Sequence, residues 1–211
     1  MSIISSLPYI AVVGIHTDVG KTSVCAALCF AFGFSYFKLI QAGSPQDRDT
    51  ISLLSPHTKI YPNAITLQNS LSPHIAKKLE NKDYAMADIA LPEIESRERL
   101  LIETAGGLYT PLDSQSCVID FLLRHKLPVL LVGGYYLGGI NHILLSIKAL
   151  LAQGIELLGL VISRCSSPYK EEFDSFIVQY CGVKIVHFEE FIQDFREKAL
   201  RLKDSLTKAG F

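Results

Sequence analysis

The sequence predicts an α/β fold, a wound, mainly parallel β-sheet with helices on both faces, and three observations predict it. Apolar residues make up 49% of the 211 and charged residues 19%, so the interior is large relative to the surface, as it is when a sheet is covered on both sides. Unbroken apolar runs recur along the chain with helical patterns between them. The first such run ends in a glycine-bounded turn that leads straight into a helical stretch, the strand–loop–helix order that suits an anion.

The runs that read as strands are Tyr9–Gly14, Tyr36–Ile40, Leu100–Thr104, Pro128–Gly133, Leu158–Ser163 and Lys184–His187. Lys21–Phe32 reads as the helix that follows the first turn. Further helical patches are Ala76–Glu80, Met86–Ile89, Ser116–His125, Ile140–Gln153 and Lys170–Cys181. The tail from Glu189 to Lys208 is charged and amphipathic, with Phe191, Ile192, Phe195, Leu200 and Leu202 near helical spacing. The least regular stretch runs from Gly43 to Ser70, and long loops in compact domains are often functional. No repeat or linker interrupts residues 1–211, which read as one domain.

Composition excludes several classes. Twenty basic against twenty-one acidic residues leave a net charge of −1 with no clustered basic face, so a nucleic-acid partner is not expected. The apolar runs are too short for a membrane span, and Met1 to Pro8 carries no positive charge, so no signal peptide is expected either. Cysteines at 25, 29, 117, 165 and 181 are odd in number and lack metal-knuckle spacing. They read as reduced core thiols of a cytoplasmic protein.

The chemistry concentrates in Gly14-Ile15-His16-Thr17-Asp18-Val19-Gly20-Lys21-Thr22-Ser23. Two glycines permit a backbone path that points successive N–H groups at one anion, and the helix N-terminus adds its dipole. Lys21 is placed to bridge the outer phosphates of a nucleoside triphosphate, and the Thr22 hydroxyl to ligate the accompanying magnesium. Gly14 stands one residue earlier than the plain Walker spacing requires. His16 reads either as a donor beside the phosphates or as a spacer.

Lys38 sits inside the apolar run Phe37-Lys38-Leu39-Ile40. It is either a lysine snorkelling out at the sheet edge or a cation facing the crevice at the C-terminal strand ends. Glu103 closes the third strand, ahead of Thr104-Ala105-Gly106-Gly107, where a magnesium-associated acid is expected. Asp49 is a second candidate acid, although alone it would also serve as a helix cap or a solvated charge.

These residues carry a resemblance. Thr17-Asp18-Val19-Gly20-Lys21-Thr22, Lys38, Ser72-Pro73-His74, Glu103-Thr104-Ala105-Gly106-Gly107 with Thr110-Pro111-Leu112, and Leu127-Pro128-Val129 through Gly138-Gly139-Ile140-Asn141-His142 occur in order. In them the chain resembles the dethiobiotin synthetases of the P-loop NTPase superfamily. The resemblance implies an ATP- and magnesium-dependent ring closure. The substrate 7,8-diaminononanoate takes up carbon dioxide (or bicarbonate) as a carbamate, the triphosphate phosphorylates it, and the second amine closes the cyclic urea, giving dethiobiotin, ADP and phosphate. Lys38, Lys21 and Thr17 would act on the carbamate and γ-phosphate, and Thr22, Asp49 and Glu103 would hold magnesium. The nucleotide site would span Asp18, Val19, Gly20, Lys21, Thr22, Ser23, Asp49, Glu103, Thr104, Ala105, Gly106, Ser163 and Arg164. Thr17, Lys38 and Ala42 would line the substrate. Backbone groups of Leu137, Gly138, Gly139, Ile140 and Asn141 would receive its distal carboxylate at the interface of a homodimer. His142 reads as a residue of a helix start.

The chain departs from that pattern at four places. Ala42 replaces an expected serine, Tyr136 an expected lysine, and Ser163-Arg164 an expected Asn-Asp that would read adenine. A charged tail from near Glu189 replaces the C-terminal nucleotide loop. The base preference among triphosphates is therefore open. A partition-type regulatory ATPase is the alternative; it would need a signature lysine where His16 stands. An amide-forming relative would need a glutaminase domain, for which 211 residues leave no room.

Overall fold

The structure, a computed structural model, describes residues 3–164, 166–189 and 193–211. The expectations for Cys165, Phe191 and Ile192 fall outside the described residues, as does the side chain of Arg164. In chain order the elements are β1 (Tyr9–Gly14), α1 (Lys21–Phe32), β2 (Ser35–Lys38), β3 (Ile40–Ala42), α2 (Asp47–Leu54), β4 (Ile65–Leu67), α3 (Pro73–Leu79) and β5 (Leu100–Glu103). After them come α4 (Val118–His125), β6 (Val129–Gly134), α5 (Gly139–Ala152), β7 (Leu157–Arg164), α6 (Lys170–Cys181), β8 (Ile185–His187) and α7 (Phe195–Lys208).

The main sheet has the order β2-β5-β1-β6-β7-β8, and every pairing in it is parallel. Alternate residues of β1 supply the two cores. Ala11 and Val13 face α4, α5 and α6 with Phe121, Ile147 and Ile177, whereas Ile10 and Val12 face α1 and α7 with Leu28, Ala199 and Leu202. Helices on both faces explain the apolar surplus. The connection from β1 runs to β2 on one side and that from its neighbour β6 runs to β7 on the other, which opens a crevice at the C-terminal strand ends.

The expected strand Tyr36–Ile40 is two strands. Lys38 still pairs with Glu103 of β5, and Leu39 donates its N–H to the Glu103 carbonyl at 3.0 Å. β5 ends there, so the next residues, Ile40–Ala42, pair instead with β4 in a separate two-stranded sheet. The stretch read as irregular, Gly43 to Ser70, thus contains α2 and β4.

From Phe195 to Lys208 the tail is a helix packed on α1. Phe195, Ala199, Leu202 and Leu206 form its buried stripe at spacings of four, three and four, while Leu200, expected on that stripe, is half exposed. Lys203 donates to the Ala31 carbonyl at 2.7 Å and Arg99 to that of Phe32, so two cations sit at the C-terminal end of α1, where its dipole favours them. Cys25 and Cys29 are core thiols as expected, but Cys117 and Cys181 are only half-buried. Among the described residues no helix is long and apolar enough to cross a membrane.

Candidate active site

The turn after β1 forms because glycine stands at its two tightest points. A Cβ on Gly14 would lie 2.6 Å from the His16 carbonyl oxygen and 2.7 Å from Val19 Cγ1. Gly20, at φ +90°, adopts the left-handed region as the residue preceding α1. No side chain caps α1 at Gly20, so the unpaired N–H groups of its first turn face the crevice. Ser163, expected at the nucleotide, is buried at the end of β7, and its hydroxyl donates to the carbonyl of Val19. It is a strut beneath the loop, and its single hydrogen is spent there.

Four charged side chains and one hydroxyl meet at the crevice. Lys38 is 4% exposed and Glu103 1%, and the Lys38 ammonium lies 2.7 Å from Glu103 Oε1 and also pairs with Asp47. The Thr22 hydroxyl stands 2.9 Å from Glu103 Oε1 and 3.1 Å from Asp47 Oδ1, and its single hydrogen serves one of them at a time. Tyr36 donates its phenol to Glu103 Oε2 at 2.8 Å. Burial alone would push the Lys38 ammonium down, but Glu103 and then Asp47 outweigh it and hold its pKa above the ordinary lysine value. Lys21 is shifted the other way, downward, by burial and then by Lys38, against the pull of Glu103 and Asp47. Burial, then the Glu103 charge, pushes Tyr36 well up, so it remains a neutral donor. The snorkelling reading of Lys38 is excluded by its position between two carboxylates.

The acid beside Thr22 and Lys38 is Asp47, which corrects the expectation of Asp49. Two residues on a helix are about 200° apart, so the two aspartates at the start of α2 cannot both face the crevice; Asp49 is exposed. Gln41 selects the register. Its side-chain oxygen accepts the Asp47 N–H at 3.1 Å and its amide donates to the Gly43 carbonyl at 3.1 Å. The hydroxyl and two carboxylates are hard oxygen donors, and Lys38 already places one cation between them, so the set fits magnesium, which favours one or two carboxylates together with phosphate oxygens.

A cavity of about 1290 Å³ opens over this cluster. Of the expected residues it gathers Thr17, Asp18, Gly20, Lys21, Thr22, Lys38, Ala42, Glu103, Ala105 and Gly106. Val19 is buried beneath the loop, Ser23 lies on α1, and Thr104 turns its hydroxyl to the Val12 carbonyl at 3.3 Å. The turn 137–141 does not line the cavity of its own chain, and Leu137 at its tip is fully exposed. Among the described residues, none of the tail lines the cavity.

Comparisons with known proteins fit this arrangement. The AAA domain family matches residues 9–193. An ATP-dependent dethiobiotin synthetase of Campylobacter jejuni is 46% identical over 195 residues, covering 90% of this chain and 94% of the relative. The chain belongs to the dethiobiotin synthetase family. A second family member, from Lawsonia intracellularis, is 36% identical over 192 residues, covering 90% of this chain and 91% of its own. Beyond the dethiobiotin synthetases the fold is shared more widely. A ParA family ATPase of Chlorobium tepidum superimposes with a TM-score of 0.54 at 13% identity, covering 97% of this chain and 93% of its own. A chain of the MinC:MinD complex of Aquifex aeolicus gives 0.53 at 12%, covering 95% and 94%. At such identities the likeness is one of fold alone. The partition-type alternative is not favoured by the relatives, which are dethiobiotin synthetases.

Proposed function

We infer that this chain is a cyclo-ligase that uses ATP and magnesium to convert 7,8-diaminononanoate and carbon dioxide to dethiobiotin, ADP and phosphate, a step of biotin biosynthesis in the cytoplasm. The observation that carries the reading is the junction of Lys21, Lys38, Thr22, Asp47 and Glu103 at one cavity in a chain 46% identical to a dethiobiotin synthetase. Carbamate, triphosphate and the mixed anhydride between them are all anionic. Two fixed ammonium groups and the N–H groups of α1 stabilise such charge without a covalent enzyme intermediate. Lys21 and α1 take the outer phosphates. Lys38 and Thr17 take the carbamate, which Ala42 meets with a methyl group in place of a hydroxyl. Thr22, Asp47 and Glu103 would hold magnesium, which supplies charge neutralisation of the triphosphate when bound. Purified protein given the diamine, bicarbonate, magnesium and ATP should yield dethiobiotin by mass spectrometry; ATP hydrolysis without that product would refute the reading.

The base of the nucleotide should be read weakly. Discrimination needs directional groups left unpaired by the wrong base, and the Ser163 hydroxyl is committed to Val19. Turnover with ATP, GTP and CTP is expected to agree within about tenfold. A preference for ATP of about a hundredfold, near 2.7 kcal/mol, would mean that another segment reads adenine.

A homodimer would complete the diamine site. The turn 137–141 does not line the cavity of its own chain and Leu137 is fully exposed, and a second copy supplies the nearest reason for an apolar tip there. Analytical ultracentrifugation is expected to give a dimer, and Leu137→Asp to shift it toward monomer and weaken diamine binding. A fully active monomer would refute this.

A further inference from the structure

His16 stands on the phosphate loop and lines the cavity beside Thr17 and Lys21, and the chemistry described so far gives it no task. Its Nδ1 lies against the Thr17 carbonyl oxygen. A carbonyl only accepts, so Nδ1 carries a hydrogen, and of the two neutral tautomers the one that fits has its lone pair on Nε2. The Tyr136 ring meets the imidazole edge-on, with centroids 5.2 Å apart and planes at 84°, and the His142 ring lies 6.3 Å away. Those two side chains face it from the β6–α5 turn and the first turn of α5. From the loop itself, Lys21 approaches the His16 carbonyl at 3.4 Å and Asp18 follows two residues on.

Resting on the ring-closing reaction, the remaining need is a proton acceptor, because an amine that attacks a carbonyl carbon must shed a proton. Four of the other titratable cavity groups are engaged. Asp47 and Glu103 are paired with Lys38 and Thr22, Lys38 stays protonated between them, and the His142 Nδ1 shares a hydrogen with the Tyr136 hydroxyl at 2.5 Å. We propose that His16 is the general base of ring closure. As the second amine forms its C–N bond to the carbamoyl carbon, the C–O bond to phosphate breaks and its electron pair leaves on the phosphate. The amine proton passes to Nε2 of His16, and the imidazolium returns it to the departing phosphate or to water. Tyr136 holds the ring in place.

The test compares dethiobiotin formation by the wild type, His16→Asn and His142→Asn, each with and without added imidazole, together with the thermal shift produced by ATP and magnesium. Asparagine keeps an N–H donor for the Thr17 carbonyl but has no basic nitrogen. His16→Asn is expected to lower kcat about a hundredfold, to keep the wild-type thermal shift, and to regain at least tenfold with about 50 mM imidazole. The proposal is overturned by a wild-type kcat in His16→Asn. It is equally overturned by a loss that imidazole does not relieve and that tracks a lost thermal shift, or by a loss confined to His142→Asn. A wild type that makes no dethiobiotin overturns the ring-closing reading and this proposal together.

Discussion

Lys38→Ala should lower dethiobiotin formation at least a hundredfold, and Lys21→Ala by a similar factor. Each change removes a fixed cation from charge that develops on the carbamate or phosphoryl oxygens. Loss of one such preorganised group costs about 3 kcal/mol of barrier or more, and each 1.4 kcal/mol is tenfold in rate. The two variants should differ in stability. The Lys38 ammonium is the counter-charge of both Glu103 and Asp47, so alanine leaves two carboxylates facing each other. Removing one partner of a buried ionic set costs about 3 kcal/mol, and at about 2–4 °C per kcal/mol for a domain of this size the Tm should fall by about 6–12 °C. Lys21 makes a long contact with the His16 carbonyl, at 3.4 Å, and its burial outweighs the pull of Glu103 and Asp47, so its alanine variant should melt close to the wild type. Millimolar magnesium should raise the Tm of Lys38→Ala more than that of the wild type, because Thr22, Asp47 and Glu103 then lack their resident cation. Calorimetry with and without magnesium checks this, and near-normal turnover in either variant would remove that lysine from the mechanism.

Glu103→Ala is expected to cost both activity and stability. The carboxylate is 1% exposed and engages Lys38, Thr22 and Tyr36 at 2.7, 2.9 and 2.8 Å. Alanine leaves the Tyr36 phenol buried without an acceptor and leaves Lys38 with Asp47 alone. Stranding a buried donor costs about 1–3 kcal/mol, and halving the counter-charge of a buried ammonium brings the total to about 3 kcal/mol or more. Turnover should fall at least a hundredfold, because one of the two carboxylates available for magnesium is gone. Glu103→Gln keeps an acceptor for Tyr36 and should recover part of the Tm without recovering the rate. If Glu103→Gln turned over at the wild-type rate, the negative charge at 103 would have no part in holding the metal.

The sheet and the phosphate loop were legible because each is written locally. Parallel strands covered on both faces must be continuous apolar runs, and a loop that wraps an anion must place glycine where a Cβ would strike backbone, as at Gly14. Lys38 and Glu103 were also visible, since a charge within or at the end of an apolar run needs a partner. That each is the other's partner follows from the register of β2 against β5, a pairing of strands 65 residues apart in the chain.

The rest belonged to tertiary structure. Asp47 and Asp49 are indistinguishable as residue types, and the helical phase fixed by the Gln41 bond to the Asp47 N–H chose between them. The split of Tyr36–Ile40 depended on where β5 ends, which nothing in that segment encodes. Ser163 invited a role at the base, but its hydroxyl was claimed by the Val19 carbonyl, 144 residues away in sequence. The sequence by itself determined the α/β sheet, the anion loop and the types of charge at its mouth, because steric and burial constraints act residue by residue. Only the tertiary structure decided which acid meets Thr22, what Ser163 supports and where the tail packs, because those outcomes are competitions between partners that the chain brings together only on folding.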